Sequence, residues 1–229
     1  MNIPMLILTI SIGLAFFALF MFMGLMNHKR ERSGSRRYDF LADFPFELYK
    51  TSNPLSSFSR ICFIFFELAF CLLPVTILGV DSLVGLTSMA YFLLGAEALK
   101  AILFTFILFV PASNEKPHFL LAILSFLNGS LVSFFAGLLL FQLRVDHPVF
   151  AYVFSIILWL LCLCYLLLAI NPRLSTWPKM KVVEEESGAH LERPRPFVLA
   201  FSEWLSLGLE FLLFVIIGIA FAALYILIR

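Results

Sequence analysis

Apolar residues run along this chain in long unbroken stretches, and polar residues gather between them. A helix needs roughly 20 apolar residues to cross the roughly 30 Å hydrocarbon core of a bilayer. Six stretches reach that length: residues 4–26, 61–80, 83–110, 119–141, 149–170 and 197–228. The pattern predicts an all-α, polytopic transmembrane bundle of six spans, forming one domain over residues 1–229. Asp81 and Ser82 alone separate the second stretch from the third, which predicts a tight helical hairpin there.

Composition agrees with a lipid environment. The chain is 62% hydrophobic and 14% charged, with 28 Phe among its 229 residues; soluble domains average about 25% charged. A water-soluble chain of this size leaves about a third of its surface exposed, more than so apolar a sequence can cover with polar groups. The bilayer is therefore the expected partner. A net charge of +1 implies no nucleic-acid partner.

Basic residues set the expected orientation, because cytoplasmic loops carry an excess of Lys and Arg. Residues 27–60 hold Lys29, Arg30, Arg32, Arg36, Arg37, Lys50 and Arg60. Residues 171–196 hold Arg173, Lys179, Lys181, Arg193 and Arg195, and Lys116 lies in the 111–118 link. On the opposite side only Arg144 and Arg229 remain. Six spans with both ends on the non-cytoplasmic side produce this asymmetry. The first stretch has its basic residues after it rather than before it, so it reads as a retained helix rather than a cleaved signal. A bacterial cell membrane is the expected location.

Two extramembrane segments carry patterns of their own. In 38–50, Asp39, Asp43 and Glu47 recur every four residues, as do Phe40, Phe44 and Leu48. That is helical spacing with an aromatic stripe, broken by Pro45, and it predicts a cytoplasmic interfacial helix or a docking helix for a protein partner. Residues 171–196 are rich in proline and charge and are expected to be a cytoplasmic loop, with Trp177 as an interfacial anchor and Glu184 to Glu186 solvated.

Ionisable groups within hydrocarbon are costly and mark candidate sites. Glu67, Glu97, Lys100, Glu203 and Glu210 fall within the spans, with Asn128 as a polar companion. Counted from the loop-rich side at the standard rise, Glu67 and Glu203 lie roughly 9 Å deep, Asn128 and Lys100 roughly 15 Å, and Glu97 and Glu210 roughly 20 Å. This predicts a midplane polar core of Glu97, Lys100, Asn128 and Glu210, and a secondary cytoplasmic layer of Glu67 and Glu203. Glu97 and Lys100 are three apart on one helix face. Glu203 and Glu210 are two turns apart on another, which can bring Glu210 towards Lys100. The carboxylates outnumber the ammonium, so a proton, a cation or water must balance them. Against a transport site stands a purely structural network, with the deep pair neutralising itself and the shallow carboxylates reaching the headgroups.

On the fourth stretch Gly129, Ser133 and Gly137 form a small-residue stripe suited to close helix packing. Cys62, Cys71, Cys162 and Cys164 lie in apolar stretches without metal-ligand spacing and read as small hydrophobes. His28, His118, His147 and His190 are all expected in loops, so no axial haem ligand, metal site or Ser–His pair is expected within a span. No cofactor is expected, and no nucleotide-binding or hydrolase motif is present. The leading reading is a small transporter, or a transport component, for an ion or small solute. The alternative is a non-catalytic accessory, assembly or scaffold subunit of a larger membrane complex. An intramembrane enzyme ranks third.

Overall fold

The structure is a computed structural model, and it describes residues 3–31, 41, 43–45, 54–78, 85–110, 115–144, 146–175, 181–185, 188–192 and 196–227. The helices are α1 (Ile3–Glu31), α2 (Pro54–Val75), α3 (Thr87–Phe109), α4 (Glu115–Phe141), α5 (Pro148–Ala169), the single turn α6 (Pro172–Ser175) and α7 (Val198–Leu227). All but α6 are long and apolar enough to cross a membrane, giving six candidate spans.

Prolines set several boundaries. Pro54 and Pro148 open α2 and α5, where a missing N–H costs no helical bond. Pro74 leaves the carbonyl four residues back without its usual donor, and α2 ends at Val75. The chain then tightens into a turn, with Thr76 N donating to Leu73 O at 3.1 Å and Ile77 N to Pro74 O at 3.3 Å. The second span therefore begins before Ile61 and stops short of Val80, and the third starts at Thr87 rather than Leu83. The tight hairpin expected at Asp81 and Ser82 falls at residues 79–84, which lie outside the described residues.

Residues 171–196 are not all loop. They hold α6 and a two-stranded antiparallel hairpin, β1 (Lys181–Glu185) and β2 (Gly188–Glu192), with Val183 opposite His190. Val182 and Val183 suit a strand, and the glutamates that follow hid that signal. The bundle itself is helical.

Each inward face follows the helical repeat. On α2 it runs through Cys62, Phe63, Phe66, Glu67, Phe70 and Leu73, all buried. On α3 it runs Leu93, Glu97, Lys100 and Phe104; on α7, Leu199, Glu203, Ser206, Glu210, Phe214, Ile217 and Phe221. Rings from three helices interlock along this core: Phe66 and Phe70 of α2 both meet Phe214 edge-on, and Phe17 of α1 meets Phe66. α7 packs against α1, α2, α4 and α5, so it is the central helix. The opposite faces are apolar and outward, as Phe92 (62% exposed) and Leu167 (64%) illustrate. In water that arrangement would be unfavourable; against lipid it costs nothing.

One end of the bundle gathers the start of α2, the end of α3 and the starts of α4 and α7. Ser59 Oγ of α2 donates to Phe20 O of α1 at 2.9 Å. A second core of Phe44, Ile107, Ala122, Phe126, Leu174, Phe197, Leu199 and Ala200 closes this end. Phe44 belongs to the segment expected to be an interfacial helix. Among its described residues, Leu41, Asp43, Phe44 and Pro45, none is α-helical. Phe44 instead turns inward, edge-on to His118 at 5.5 Å and to Phe197 at 5.1 Å. Leu41 O accepts from Phe197 N at 2.7 Å, and Asp43 O from Trp204 Nε1 at 3.0 Å. These residues form a strap across the bundle end. The proline at position 45 breaks the helical repeat there, and burial of Phe44 outweighs it.

Candidate functional site

The deepest polar group is built from α2, α3, α5 and α7. Lys100 Nζ lies 2.8 Å from Glu97 Oε2 and 2.6 Å from Glu210 Oε1, with all three side chains fully enclosed. The first contact is a hydrogen bond along α3. The second crosses to α7 as an ion contact without hydrogen-bond angles. Lys100 also sits 3.3 Å from the centre of the Phe70 ring, whose face attracts the ammonium. Tyr165 of α5 donates to Glu210 Oε2 at 3.1 Å, so each Glu210 oxygen has a neighbour.

Glu67 completes the group. It is buried, lies within electrostatic range of Glu210, Lys100 and Glu97, and neither of its oxygens has a hydrogen-bond partner. The expected shallow layer of Glu67 with Glu203 is therefore not what the fold assembles. Because α2 begins at Pro54, Glu67 is thirteen residues along its helix, and Glu210 is twelve along α7. Equal rise puts them at one level, roughly 20 Å from those helix starts. Three carboxylates then face one ammonium, and a buried surplus of negative charge needs a proton, a cation or water to balance it.

Asn128 lies beside the group rather than in it. Its Nδ2 donates to Ala96 O of α3 at 2.8 Å, and its Oδ1 is unpartnered. It ties α4 to α3 at the residue preceding Glu97. The stripe of Gly129, Ser133 and Gly137 faces α5. A Cβ on Gly129 would come within 2.6 Å of the Tyr165 ring, and one on Gly137 within 2.5 Å of the Trp159 indole. Gly129 thus makes the room in which Tyr165 reaches Glu210. Ser155 Oγ of α5 donates to Gly137 O at 2.9 Å, possible only where the helices run close, and Ser133 Oγ returns to Gly129 O at 2.8 Å.

Glu203 forms a second station. It meets His118 Nε2 at 2.8 Å, while His118 Nδ1 lies 2.9 Å from Val110 O. His118 is not a loop residue: it lies in the first turn of α4 and is fully buried. A carbonyl only accepts, so Nδ1 carries a hydrogen. The Nε2 contact to the carboxyl then holds one further proton, on the ring or on Glu203.

The chain matches no family model, no curated protein and no solved structure. Its chemistry rests on its own residues.

Against Glu203 and Ser206 lies a cavity of about 30 Å³, lined also by Pro45, Phe63, Phe104 and Ser125 among others. Ser125 Oγ is occupied by Leu121 O at 2.8 Å. Ser206 Oγ is buried without a partner, and Ser206 O lies 3.5 Å from Tyr165 OH, beside Glu210. Among the described residues, no three His, Cys, Asp or Glu side chains converge as metal ligands. His118, Tyr165 and Ser206 are the site residues that sequence reasoning missed. His118 lies next to an apolar stretch and counted as loop. Tyr165 stands in a wholly apolar run, and its one outward sign is the glycine opposite it.

Proposed function

We propose that this multi-pass membrane protein is a small transporter, or a transport component, whose buried Glu67, Glu97, Lys100 and Glu210 handle an ion in the membrane. The observation that carries the reading is the imbalance at the centre of the bundle. A network built only to hold helices together pairs its carboxylates; here Glu67 is buried with neither oxygen engaged. Unpaired ionisable groups at membrane depth are costly and are retained where they move or bind charge. Asn128 supports the site by fixing α4 to α3. The basic loops orient the strap end towards the cytoplasm in this reading, with both chain termini on the far side.

The test is flux. The purified chain in sealed liposomes, under an imposed membrane potential, is expected to carry charge that empty liposomes do not. Glu210→Gln is expected to abolish that movement while leaving the protein folded. A folded wild-type protein that moves no ion would defeat the proposal. The accessory-subunit reading would then replace it, favoured by the complete enclosure of the Lys100 ion contacts.

A further inference from the structure

We infer that the ion handled at this site is the proton, and that it reaches Glu210 from the strap end through a single water held between Glu203 and Ser206. The inference rests on the transport reading above and narrows it to one substrate.

Two observations argue against a metal cation. The place between Glu97 and Glu210 where a cation would sit is already taken by Lys100 Nζ, at 2.8 and 2.6 Å from their oxygens. The approach from the strap end is also narrow. A cavity of about 30 Å³ has room for a water molecule. A proton needs no room of its own.

The groups along the approach are all able to pass protons. Glu203, Ser206 and Glu210 fall on one face of α7, three and four residues apart. At the strap end the His118–Glu203 contact holds a proton between Nε2 and Oε1. His118 also meets Phe44 of the strap edge-on, so this station is built into the bundle end. The cavity follows, with Glu203 and Ser206 in its wall. Ser206 Oγ is fully buried, unpartnered and one turn from Glu210. A water there would satisfy the hydroxyl and join it to the carboxyl of Glu203, which is what buried waters do at otherwise unsatisfied polar groups. Beyond it stand Tyr165 OH and Glu210, then Lys100, Glu97 and Glu67. In each hop one O–H or N–H bond forms as another breaks, so no co-reactant is required. Pro45 of the strap also lines the cavity, so the strap lies over its outer wall.

The experiment uses the full chain in sealed liposomes with a pH-sensitive dye inside and a potassium diffusion potential set by valinomycin. Wild type is expected to acidify the lumen at a rate independent of external Na⁺, Li⁺ or Ca²⁺. Ser206→Ala is expected to slow this by about tenfold or more, a modest part of what one positioned proton-transfer group contributes. Ser206→Thr keeps the hydroxyl and is expected to retain most of the rate, which separates loss of the route from a misfolded chain. His118→Gln is expected to slow the flux as well. If the protein moves Na⁺ or another metal cation and no protons, the transport reading stands and this inference falls. Proton flux unchanged by Ser206→Ala overturns the route. If wild type moves neither, the transport reading fails and takes the inference with it.

Discussion

Replacing Lys100 by methionine removes the ammonium and keeps the length of the side chain. Its two ion contacts, at 2.8 and 2.6 Å with no solvent exposure, are each worth about 6 kcal/mol at an effective dielectric of about 20. Most of that is offset by the cost of taking the charges out of water, so the gross figure overstates what is lost. The relevant quantity is the cost of leaving Glu97 and Glu210 buried without their counter-ion, about 3–5 kcal/mol when one partner of a buried pair is removed. Lys100→Met is therefore expected to destabilise the bundle by about that amount, measured by reversible unfolding in mixed micelles. The triple variant Lys100→Met, Glu97→Gln, Glu210→Gln removes the stranded charges and is expected to recover most of the loss. A single variant within about 0.5 kcal/mol of wild type, the scatter of ordinary surface substitutions, would refute the assignment of Lys100 as counter-ion. So would a triple variant no more stable than the single one.

Other predictions probe the surrounding parts. Gly129→Ala forces the Tyr165 ring aside and is expected to cost about 1–3 kcal/mol, with loss of the Tyr165–Glu210 hydrogen bond visible as a changed tyrosine ultraviolet spectrum. A double-mutant cycle of His118→Gln and Glu203→Gln is expected to give a coupling of about 0.5–3 kcal/mol; independent effects would separate the two residues. Ser155→Ala removes a buried bond to Gly137 O but is expected to cost only about 0.6 kcal/mol, because such bonds average little within membranes. Phe44→Ala empties the strap's anchor and is expected to cost about 3 kcal/mol, raising protease cleavage around residue 44.

Much of the architecture is legible in the sequence because a bilayer imposes a length on every span. Six apolar stretches correspond to six long helices, and the spacing of Glu97 with Lys100 places them on one face of α3. The register of α7 likewise brings Glu210 to the core. Elsewhere hydropathy misleads where a helix extends past its apolar run. Counting from Ile61 made Glu67 shallow, but α2 starts at Pro54 and carries it to the level of Glu210. His118 likewise lies within α4, which begins at Glu115, ahead of its apolar run. The strap and the cavity depend on contacts across the bundle, such as Phe44 with Phe197, which no local periodicity encodes. Tyr165 was invisible because an aromatic residue in an apolar run carries no polar signature.

In the transport reading, a water-reachable route leads from one end of the bundle to the buried carboxylates. Its most direct test starts from a variant lacking Cys62, Cys71, Cys162 and Cys164, with a single cysteine introduced by Ser206→Cys. Liposomes holding it are exposed to Ag⁺, a thiol-reactive ion small enough to follow water, from the outside or from the inside. The protein is then unfolded and alkylated, and capped thiols are counted by intact mass, with Gln142→Cys at the opposite, exposed end as the control. The thiol at position 206 is expected to be capped from one side only, the side opposite to that which caps position 142. A thiol at 206 that stays uncapped from both sides in the folded protein, while position 142 reacts fully, would contradict it.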